Sequence, residues 1–353
     1  MLRRISFILA FSLIVGTALA PSGASAEPKK KFKIAWSIYV GWMPWGYLSD
    51  SRIIEKHARE NGIEIEIVQI NDYVESINQY TAGQFDGCSM TNMDALTIPA
   101  AGGVDSTGLI VGDFSNGNDG IVLKKKTKLE EIKGQDVHLV ELSVSHYLLA
   151  RALASVGLSE KDIEVVNISD ADIVGIFASE SVTAAVTWNP QLSEIARTPD
   201  AHVVFDSSRI PGEIIDLMVV NTKTLQDNPA FGKALVGAWY EVLGLLADKG
   251  EKGKAAREAM AKASGTDLAG FEAQLATTRM FYTPKEAADF AASAALTTTM
   301  DHVRKFSFEH GLLGAGAKSA DAIGIQYPGG KTAGDASNIM LRFDNTFMAA
   351  AAK

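Results

Sequence analysis

The sequence predicts an α/β protein built as two lobes. Short apolar runs of strand length alternate with longer segments of helical periodicity, a pattern typical of α/β folds. The pattern begins at residues 32–36 and starts again near residue 137, which indicates two similar units. The length of 353 residues also fits two domains, at roughly 150 residues per domain.

The strands and helices of the first unit follow from these runs and from the turn residues that bound them. The predicted strands are 32–36, 63–70, 85–90, 109–111 and 120–123, and the predicted helices are 48–61 and 73–82. Asn61-Gly62 and Gly83 end the two helices, as glycine commonly does. The basic run 124–126 that follows is interpreted as a surface crossing between the lobes.

The second unit repeats the alternation and leads into a helical region. Its predicted strands are 137–141, 163–168, 182–187, 203–205 and 217–220, and its predicted helices are 145–157 and 170–179. From Pro229 onward the pattern is mostly helical. We therefore expect residues 27–120 plus 221–320 to form lobe one, 125–215 to form lobe two, and 321–353 to be a C-terminal tail. The default ligand site is the cleft between the lobes.

Residues 1–26 have the features of a secretory signal peptide. Two arginines precede a compact apolar stretch, and the small residues of Ala24-Ser25-Ala26 predict cleavage before Glu27. An uncleaved anchor helix is the alternative. No cysteine follows the apolar stretch, and no later segment approaches ~18 uninterrupted apolar residues. We expect a periplasmic protein that is not a lipoprotein.

Composition and charge narrow the classes of function. Apolar residues make up 47% of the chain and charged residues 21%, which is ordinary for a globular protein. The net charge of −9 argues against nucleic acid as a partner. The single cysteine, Cys88, excludes an internal disulfide, a zinc–thiolate cluster and a CxxC redox pair.

The common catalytic motifs are missing from the sequence. There is no HExxH, no serine lies in GxSxG, and the six histidines have no metal-ligand spacing. The glycine-rich segment 324–332 does not join a predicted strand to a helix, so it is not a phosphate loop. We therefore expect no catalytic residue, metal or cofactor, and a binding protein rather than an enzyme.

The densest chemical signal is the aromatic segment 36–47, which lies between the first predicted strand and the first predicted helix. It holds three of the five tryptophans of the chain. Trp36, Tyr39 and Trp42 are candidate ligand-binding rings, because a loop at the end of a strand can face a cleft and aromatic faces attract cations. The last two rings of the segment are expected to pack in the core.

Acidic side chains recur at the ends of the predicted strands, where no lysine or arginine occurs. The candidate ligand-binding carboxylates are Asp72, Asp94, Glu141 and Asp216, and Asp113 and Asp119 bracket a turn of the same kind. For any single one of them, a helix cap or a solvated turn is the alternative interpretation. Together they would concentrate cations in a cleft and repel anions.

The chain resembles the periplasmic substrate-binding proteins of nitrate/sulfonate/taurine-type ABC importers over roughly residues 30–310. The resemblance is strongest in the aromatic segment 36–47, in residues 140–147 (VELSVSHY) and in residues 168–191, which contain VTWNP. It implies a bilobed periplasmic-binding-protein fold of type II that closes on its ligand around a two-segment hinge. It also implies the permease subunits of an ABC transporter as partners.

A narrower resemblance concerns the ligand. Residues 72–80 and 91–95 resemble the binding proteins encoded with urea-carboxylase-type enzymes, which implies guanidinium as the cargo. Taurine-type members resemble the chain at Ser143, where a hydroxyl and helix N-terminal amides hold a sulfonate. Glu141 stands where those members tend to be apolar, and it would repel a sulfonate but bind guanidinium N–H groups. Trp188 matches the cleft tryptophan of the family, whose flat ring suits a planar ligand.

The sequence therefore predicts a monomeric periplasmic solute-binding protein that delivers a small planar cation, with guanidinium the best candidate, to an ABC importer. The alternative ligands are urea, an amidine, an aminomethylpyrimidine or an anion of sulfonate or nitrate type. A pyrimidine-precursor enzyme on the same fold is an alternative of a different class. Such enzymes carry a cysteine-rich motif, and the lone Cys88 argues against it.

Overall fold

Two β-sheets and the helices packed on them organise residues 29–353, which are the residues that the computed structural model describes; the predicted signal peptide lies outside them. The strands are β1 (Lys31–Trp36), β2 (Glu64–Gln69), β3 (Gly87–Thr91), β4 (Ser106–Ser115), β5 (Asp119–Lys124), β6 (Asp136–Leu139), β7 (Glu164–Asn167), β8 (Ala184–Trp188), β9 (Ala201–Asp206), β10 (Ile215–Asn221), β11 (Thr278–Met280), β12 (Gly324–Gln326), β13 (Thr332–Ala333) and β14 (Ile339–Phe343). The helices are α1 (Met43–Asp50), α2 (Ile53–Glu60), α3 (Tyr73–Thr81), α4 (Asn92–Ala95), α5 (Val144–Ser155), α6 (Ile173–Phe177), α7 (Gln191–Ile195), α8 (Thr222–Asp227), α9 (Pro229–Ala247), α10 (Glu251–Ala263), α11 (Leu268–Leu275), α12 (Pro284–Ala291), α13 (Ala294–Glu309) and α14 (Thr346–Ala351).

The larger sheet has the order β13-β12-β14-β4-β10-β3-β1-β2, and β11 pairs with β4 beside this path. Strands β2, β1 and β3 are parallel, whereas β10 runs antiparallel to both of its neighbours, β3 and β4. This insertion places the start of β10 beside the carboxyl end of β3. Polar residues from both strands therefore meet at one edge of the sheet.

The smaller sheet has the order β7-β6-β8-β5-β9 and contains every strand between residues 119 and 206. The chain enters it through residues 116–118 and leaves it through residues 207–214. The two crossings are joined to each other, because the hydroxyls of Ser115 and Ser207 lie 2.6 Å apart and the Gly117 N–H donates to Ser207 Oγ at 2.8 Å. The division of the chain into lobes, with the boundaries given above, stays a prediction.

Lys124 does not lie in a surface crossing, as the basic run had suggested. It is the last residue of β5, and its ammonium group donates hydrogen bonds to the carbonyls of Phe177 and Ser179, at the end of α6. The aliphatic stem of the lysine is buried while its charge lies 4.4 Å from the Phe177 ring centroid. Cation–π contact and these carbonyls compensate for the lost water.

The C-terminal segment contributes three short strands that the sequence pattern did not predict. Strand β14 pairs in parallel with β4, and β12 pairs with β14. Strands of two to five residues are too short to show a hydrophobic period. Strands β12, β13 and β14 therefore extend the larger sheet at one edge.

Helix α9 is the central helix of the larger unit. Among residues 29–353 it alone is long and apolar enough to cross a membrane, judged by length and composition. In the fold it packs against α1, α2, α10 and α14. Trp239 of α9 stacks on Trp45 with ring centroids 4.6 Å apart, so Trp45 is a core residue as the sequence predicted.

Candidate ligand-binding site

A small cavity lies between the two sheets, with walls supplied by both. Its volume is about 20 Å³. The lining residues are Tyr39, Trp42, Tyr73, Thr91, Asp119, Val144, Trp188, Ile214 and Asp216. A volume of this size holds about one water molecule, so even a ligand of a few heavy atoms enters only when the two walls move apart.

The lining residues come from the ends of strands and from the turns that follow them. Strand β1 ends at Trp36, and the turn Val40–Trp42 brings Tyr39 and Trp42 to the cavity. Tyr73 begins α3, directly after β2. Thr91 ends β3 and caps α4.

The smaller sheet supplies the opposite wall. Trp188 is the last residue of β8 and pairs with Asp119, the first residue of β5, which runs antiparallel to it. Val144 begins α5. The indole N–H of Trp188 donates to the carbonyl of Ile38 at 3.3 Å, so this ring also ties the two walls together. The structure is thus a closed form of the cleft.

Four aromatic rings form a continuous row along the cavity. The centroids of Tyr39 and Trp42 are 5.0 Å apart, those of Trp42 and Tyr73 are 5.7 Å apart, and those of Tyr73 and Trp188 are 5.5 Å apart. All four side chains are buried. Such a row offers both flat faces and polar edges to a planar or cationic ligand.

Four buried carboxylates, which we call the acidic cluster, converge on the same place: Asp94, Asp113, Asp119 and Asp216. Asp216 of β10 lies directly opposite Asp113 of β4 in the sheet. The hydroxyl of Tyr39 donates to Asp113 Oδ1 at 2.8 Å. When both carboxyls are ionised, the second oxygens of Asp113 and Asp216 have no hydrogen-bond donor. A proton on Asp216 joins it to Asp113 by a side-chain hydrogen bond. Buried acceptors of this kind are costly unless a donor meets them.

Burial shifts the acid–base behaviour of the acidic cluster. Loss of water raises the pKa of Asp113 and of Asp119 to about 7, and the pKa of Asp94 to about 6. Burial first, and then repulsion from Asp113, raises the pKa of Asp216 well above its usual value. Removal from water penalises the charged form, and a neighbouring carboxylate adds to that penalty. The four buried carboxyls therefore keep their protons to a higher pH than exposed aspartates do.

No positive side chain balances this charge at the cavity wall. Among the residues from 29 to 353 that line the cavity, none is lysine, arginine or histidine. The one group of three side chains in the described chain that could hold a metal ion, His146 with Glu160 and His310, lies outside the lining. The cavity is thus acidic and aromatic.

Asp94 lies behind the cavity wall and holds Tyr73 in place. It accepts hydrogen bonds on one oxygen from the Tyr73 hydroxyl at 2.6 Å and from the Thr91 hydroxyl at 2.9 Å. The Tyr73 oxygen in turn accepts from the backbone N–H of Thr91 at 3.0 Å. Burial raises the pKa of Asp94. Hydrogen bonds from these two hydroxyls and from the backbone N–H of Val144 lower it and partly offset that effect.

Of the nine predicted ligand-binding residues, four line the cavity: Tyr39, Trp42, Trp188 and Asp216. Trp36 is buried beneath helix α1 instead, where a Cβ atom added at Gly46 would lie 2.7 Å from its ring. Its ring fills the core because β1 is covered by α1 at that point.

The other predicted carboxylates and the predicted serine have structural roles. Asp72 caps α3 and accepts a hydrogen bond from the Ser169 hydroxyl at 2.9 Å. Ser143 caps α5, as its position before the helix predicted. Glu141 is exposed and does not line the cavity, which corrects the expectation that it faces the cleft. The left-handed conformation of Leu142, with φ of 62°, belongs to a turn that leaves Glu141 in solvent.

Five lining residues were not among the predicted ones: Tyr73, Thr91, Asp119, Val144 and Ile214. In the sequence, Tyr73 is the first residue of a predicted helix and Asp119 lies at one side of a predicted turn. Their assignment to the cavity needs the pairing of β5 with β8 and the start of α3. The start of α3 was predicted from the sequence, whereas the pairing of β5 with β8 has no local sequence signal.

Gly41 is required by the close approach of Tyr39 and Asp113. A Cβ atom there would lie 2.5 Å from Tyr39 Cε1 and 2.7 Å from Asp113 Oδ2. We expect Gly41→Ala to displace both side chains, to destabilise the protein by about 1–3 kcal/mol, as overpacking does, and to weaken ligand binding. Denaturant unfolding and calorimetry check this result. Gly244→Ala is the matched control, because its added Cβ meets no atom within 4 Å; equal effects of the two substitutions would contradict the prediction.

Comparison with known proteins found a family model and relatives that match this chain. A family model described as NMT1/THI5 like matches residues 59–248. The taurine-binding periplasmic protein of Escherichia coli (strain K12) is 24% identical over 137 residues, which are 37% of this chain and 42% of that protein. The alignment thus spans less than half the length of that curated relative.

Solved structures of similar shape show the fold. The alkanesulfonate-binding protein SsuA from Xanthomonas axonopodis pv. citri, bound to MOPS, matches with a TM-score of 0.67 and 19% identity, over 84% of this chain and 99% of that chain. The periplasmic nitrate-binding protein NrtA from Synechocystis PCC 6803 matches with a TM-score of 0.57 and 11% identity, over 92% and 97%. The chain has the periplasmic-binding-protein fold, with two α/β lobes and a cleft between them.

Proposed function

The chain belongs to the NMT1/THI5-like family, and within it we propose that this protein is an exported solute-binding protein for a small planar cation, with guanidinium as the leading candidate. It would deliver that ligand to the permease of an ABC importer. We also propose that the protein works in the periplasm and as a monomer. The similarity to periplasmic binding proteins of the same fold supports the class.

The carboxylate of Asp216 is the observation that carries the choice of a cation. It lines the cavity, it is 3% exposed, and its Oδ2 has no hydrogen-bond donor when the Asp113–Asp216 pair is ionised. Asp113 lies opposite it and Asp119 lies on the other wall. Buried charge of one sign is strongly unfavourable unless a ligand of opposite sign compensates it. A cation that donates hydrogen bonds satisfies both the charge and the orphan oxygens.

Guanidinium suits this arrangement because it is flat and has N–H donors around its edge. Its faces can contact the rings of Trp42 and Trp188, while its edge donates to Asp119 and Asp216. Guanidinium has four heavy atoms, and at a ceiling of about 1.5 kcal/mol per atom its binding free energy is about 6 kcal/mol. That corresponds to a Kd of roughly tens of micromolar.

A sulfonate or nitrate ligand is the second candidate, favoured by the names of the relatives. The relatives include proteins described as binding taurine, alkanesulfonate and nitrate. In this chain, however, the backbone N–H of Val144 at the start of α5 already favours the ionised form of the Asp94 carboxylate. A free anion at that helix N-terminus would meet a carboxylate, which opposes binding.

Binding rather than catalysis is proposed for the cavity. Its only hydroxyl-bearing residues are Tyr39, Tyr73 and Thr91, and the two tyrosine hydroxyls donate to Asp113 and Asp94. Burial raises the pKa of both tyrosines well above the usual value, so neither is an accessible base or nucleophile at neutral pH. A pyrimidine-precursor enzyme on this fold is the alternative of another class.

A panel of ligands tests the choice of ligand directly. We expect guanidinium to raise the melting temperature and to bind in calorimetry. Urea, which has the same shape without the charge, should bind roughly 10- to 150-fold more weakly, since a charge-assisted hydrogen bond contributes about 1.5–3 kcal/mol. Tetramethylammonium, which has no N–H donors, should not bind. Taurine and nitrate should leave the melting temperature unchanged.

Different outcomes test the identity of the ligand and the class of protein. Tight binding of taurine or nitrate with no response to guanidinium would contradict the cation assignment and leave a binding protein. Turnover of a pyrimidine precursor would contradict the class itself.

A further inference from the structure

Two pairs of neighbouring residues meet across the cleft at the start of α3: Asp72 and Tyr73 on one side, and Ser169 and Asp170 on the other. The backbone N–H of Tyr73 donates to Asp170 Oδ1 at 3.1 Å, and this contact is buried. The hydroxyl of Ser169 donates to Asp72 Oδ2 at 2.9 Å. We call these four residues the cross-lobe cap.

The two sides of the cross-lobe cap belong to different lobes. Asp72 caps α3 and Tyr73 begins it, and α3 packs against β1 and β3 of the larger sheet. Ser169 and Asp170 lie between β7 and α6. Strand β7 pairs with β6 of the smaller sheet, and α6 packs against β8 of that sheet. The two hydrogen bonds therefore link one lobe to the other.

The cross-lobe cap lies far from the two crossings that join the lobes. The crossings connect β4 with β5 and β9 with β10. The strand order β10-β3-β1-β2 separates α3 from a crossing in the larger sheet, and the order β5-β8-β6-β7 separates Asp170 from a crossing in the smaller sheet. At about 4.8 Å for each step between neighbouring strands, each distance across the sheet is ~14 Å.

This position means that opening the cleft breaks the cross-lobe cap. A rotation of about 10° about the crossings displaces a point ~14 Å away by roughly 2.4 Å, which takes the two sides beyond hydrogen-bond distance. The contact of Phe306 with Tyr147 differs, because Tyr147 also donates to Glu213 in a crossing and so lies beside the hinge. The cross-lobe cap is thus a contact of the closed form.

The N–H group of Tyr73 needs an acceptor from outside its own helix. The first N–H groups of an α-helix have no partner within the helix. The side chain of Asp72 accepts from the N–H of Glu75 at 2.9 Å and leaves that of Tyr73 to another residue. Asp170, which is 2% exposed, supplies the acceptor from the other lobe. Without it, the closed form would bury an unsatisfied donor.

Tyr73 also connects the cross-lobe cap to the cavity. Its ring lines the cavity and lies 5.5 Å from that of Trp188, measured between centroids. Asp94 holds the Tyr73 hydroxyl from within the same lobe, whereas Asp170 holds the Tyr73 backbone from the other lobe. Asp170 is not a lining residue. It therefore acts on the cavity wall through Tyr73.

We propose that Asp170 is a positioning residue, which completes the N-terminus of α3 only in the closed form and so couples ligand binding to lobe closure. A ligand that needs the closed cleft binds more weakly when the closed form is less populated, in proportion to that population. The proposal rests on the cavity as the ligand site, as proposed above, and not on guanidinium as the ligand.

The acceptor oxygen of Asp170, and not its charge, is the feature that favours closure. Burial, and then the nearby Asp72, raise the pKa of Asp170 to about 6, although the Tyr73 N–H opposes this shift, so the closed form is a poor environment for the charge. Asp170→Asn keeps an oxygen for the Tyr73 N–H and removes the charge. Asp170→Ala leaves that N–H without an acceptor.

Dipolar electron spin resonance of the ligand-free protein at pH 7.5 tests the cross-lobe cap. Spin labels at Asn78→Cys on α3 and Glu180→Cys after α6 report the distance between the lobes; both positions are exposed, and the native Cys88 is buried. We expect the closed-to-open ratio to fall about tenfold in Asp170→Ala, because a buried donor loses its acceptor. In Asp170→Asn the ratio should equal or exceed that of the wild type.

Asp172→Ala is the matched control, because Asp172 is exposed and its side chain forms no cap on α6. Ser169→Ala removes the second hydrogen bond of the cap and should lower the ratio roughly threefold, so it provides the test if Asp170→Ala does not fold. Melting curves establish that each variant is folded. Equal distance distributions in the wild type, Ser169→Ala and every folded Asp170 variant would overturn the proposal.

Thermal-shift titration with guanidinium and with urea separates positioning from direct contact with the ligand. Asp170→Ala should weaken both compounds by the same factor of about ten and leave the ratio of their affinities unchanged. A loss confined to guanidinium would overturn the positioning role, because it would mean that Asp170 contacts the ligand. If neither compound binds, the choice of guanidinium fails, while the spin-label distances still decide on the cross-lobe cap.

Discussion

Asp216→Asn is expected to weaken guanidinium binding by about 100-fold or more, the loss that follows when one partner of a buried, hydrogen-bonded charge pair is neutralised. The substitution keeps the shape of the side chain. It removes the charge that faces the cavity and places an amide where an acceptor is needed. Isothermal titration calorimetry at pH 7.5 measures the change.

Glu141→Gln is the matched control for Asp216→Asn. It removes the same charge, but Glu141 is exposed and lies outside the cavity lining, so guanidinium affinity should change less than about twofold. Asp119→Asn, on the opposite wall, should weaken guanidinium binding by about as much as Asp216→Asn does. A Kd in Asp216→Asn within threefold of the wild-type value would contradict the proposed role of this carboxylate.

Guanidinium affinity is expected to rise about tenfold between pH 5.5 and pH 7, and binding should release protons. Burial raises the pKa of Asp113 and Asp119 to about 7, so these carboxyls hold protons in the empty cleft at low pH. A bound cation favours the ionised forms of these carboxyls. Each proton released on binding makes the guanidinium affinity rise by up to tenfold per pH unit. Calorimetry in buffers of different ionisation enthalpy counts the protons directly.

The same pKa shifts determine how the stability of the ligand-free protein depends on pH. A carboxyl whose folded pKa is raised contributes stability below its unfolded pKa of about 3.9 and loses that contribution as the pH rises through the folded value. We therefore expect guanidinium to raise the melting temperature more at pH 8 than at pH 5. An anionic ligand would bind more tightly as the pH falls, and that trend would contradict the cation proposal.

The strands that carry the cavity were predictable because their apolar runs are local. The predicted strands 120–123 and 182–187 correspond to β5 and β8, and Trp188 directly follows the second run. The aromatic segment after β1 supplies two of the lining rings. A run of apolar residues bounded by turn residues encodes a buried strand without reference to the rest of the chain.

The choice among the carboxylates was not predictable in the same way. Asp94 and Glu141 both follow predicted strands, yet one holds Tyr73 from behind the wall and the other is exposed. Asp119 looked like a turn residue and lies at the cavity. The direction of a side chain beyond a strand end depends on the turn, such as the one formed with Leu142 in its left-handed conformation.

The sequence by itself determined the α/β class, the placement of aromatic and acidic residues at strand ends, and the sign of the charge in the cleft, because each of these follows from local composition and periodicity. Only the tertiary structure decided which charges meet. Asp216 opposes Asp113 because β10 inserts antiparallel between β3 and β4, and Asp119 reaches the cavity because β5 pairs with β8. Sheet order and register arise from long-range packing of apolar faces, which no short segment of the chain encodes.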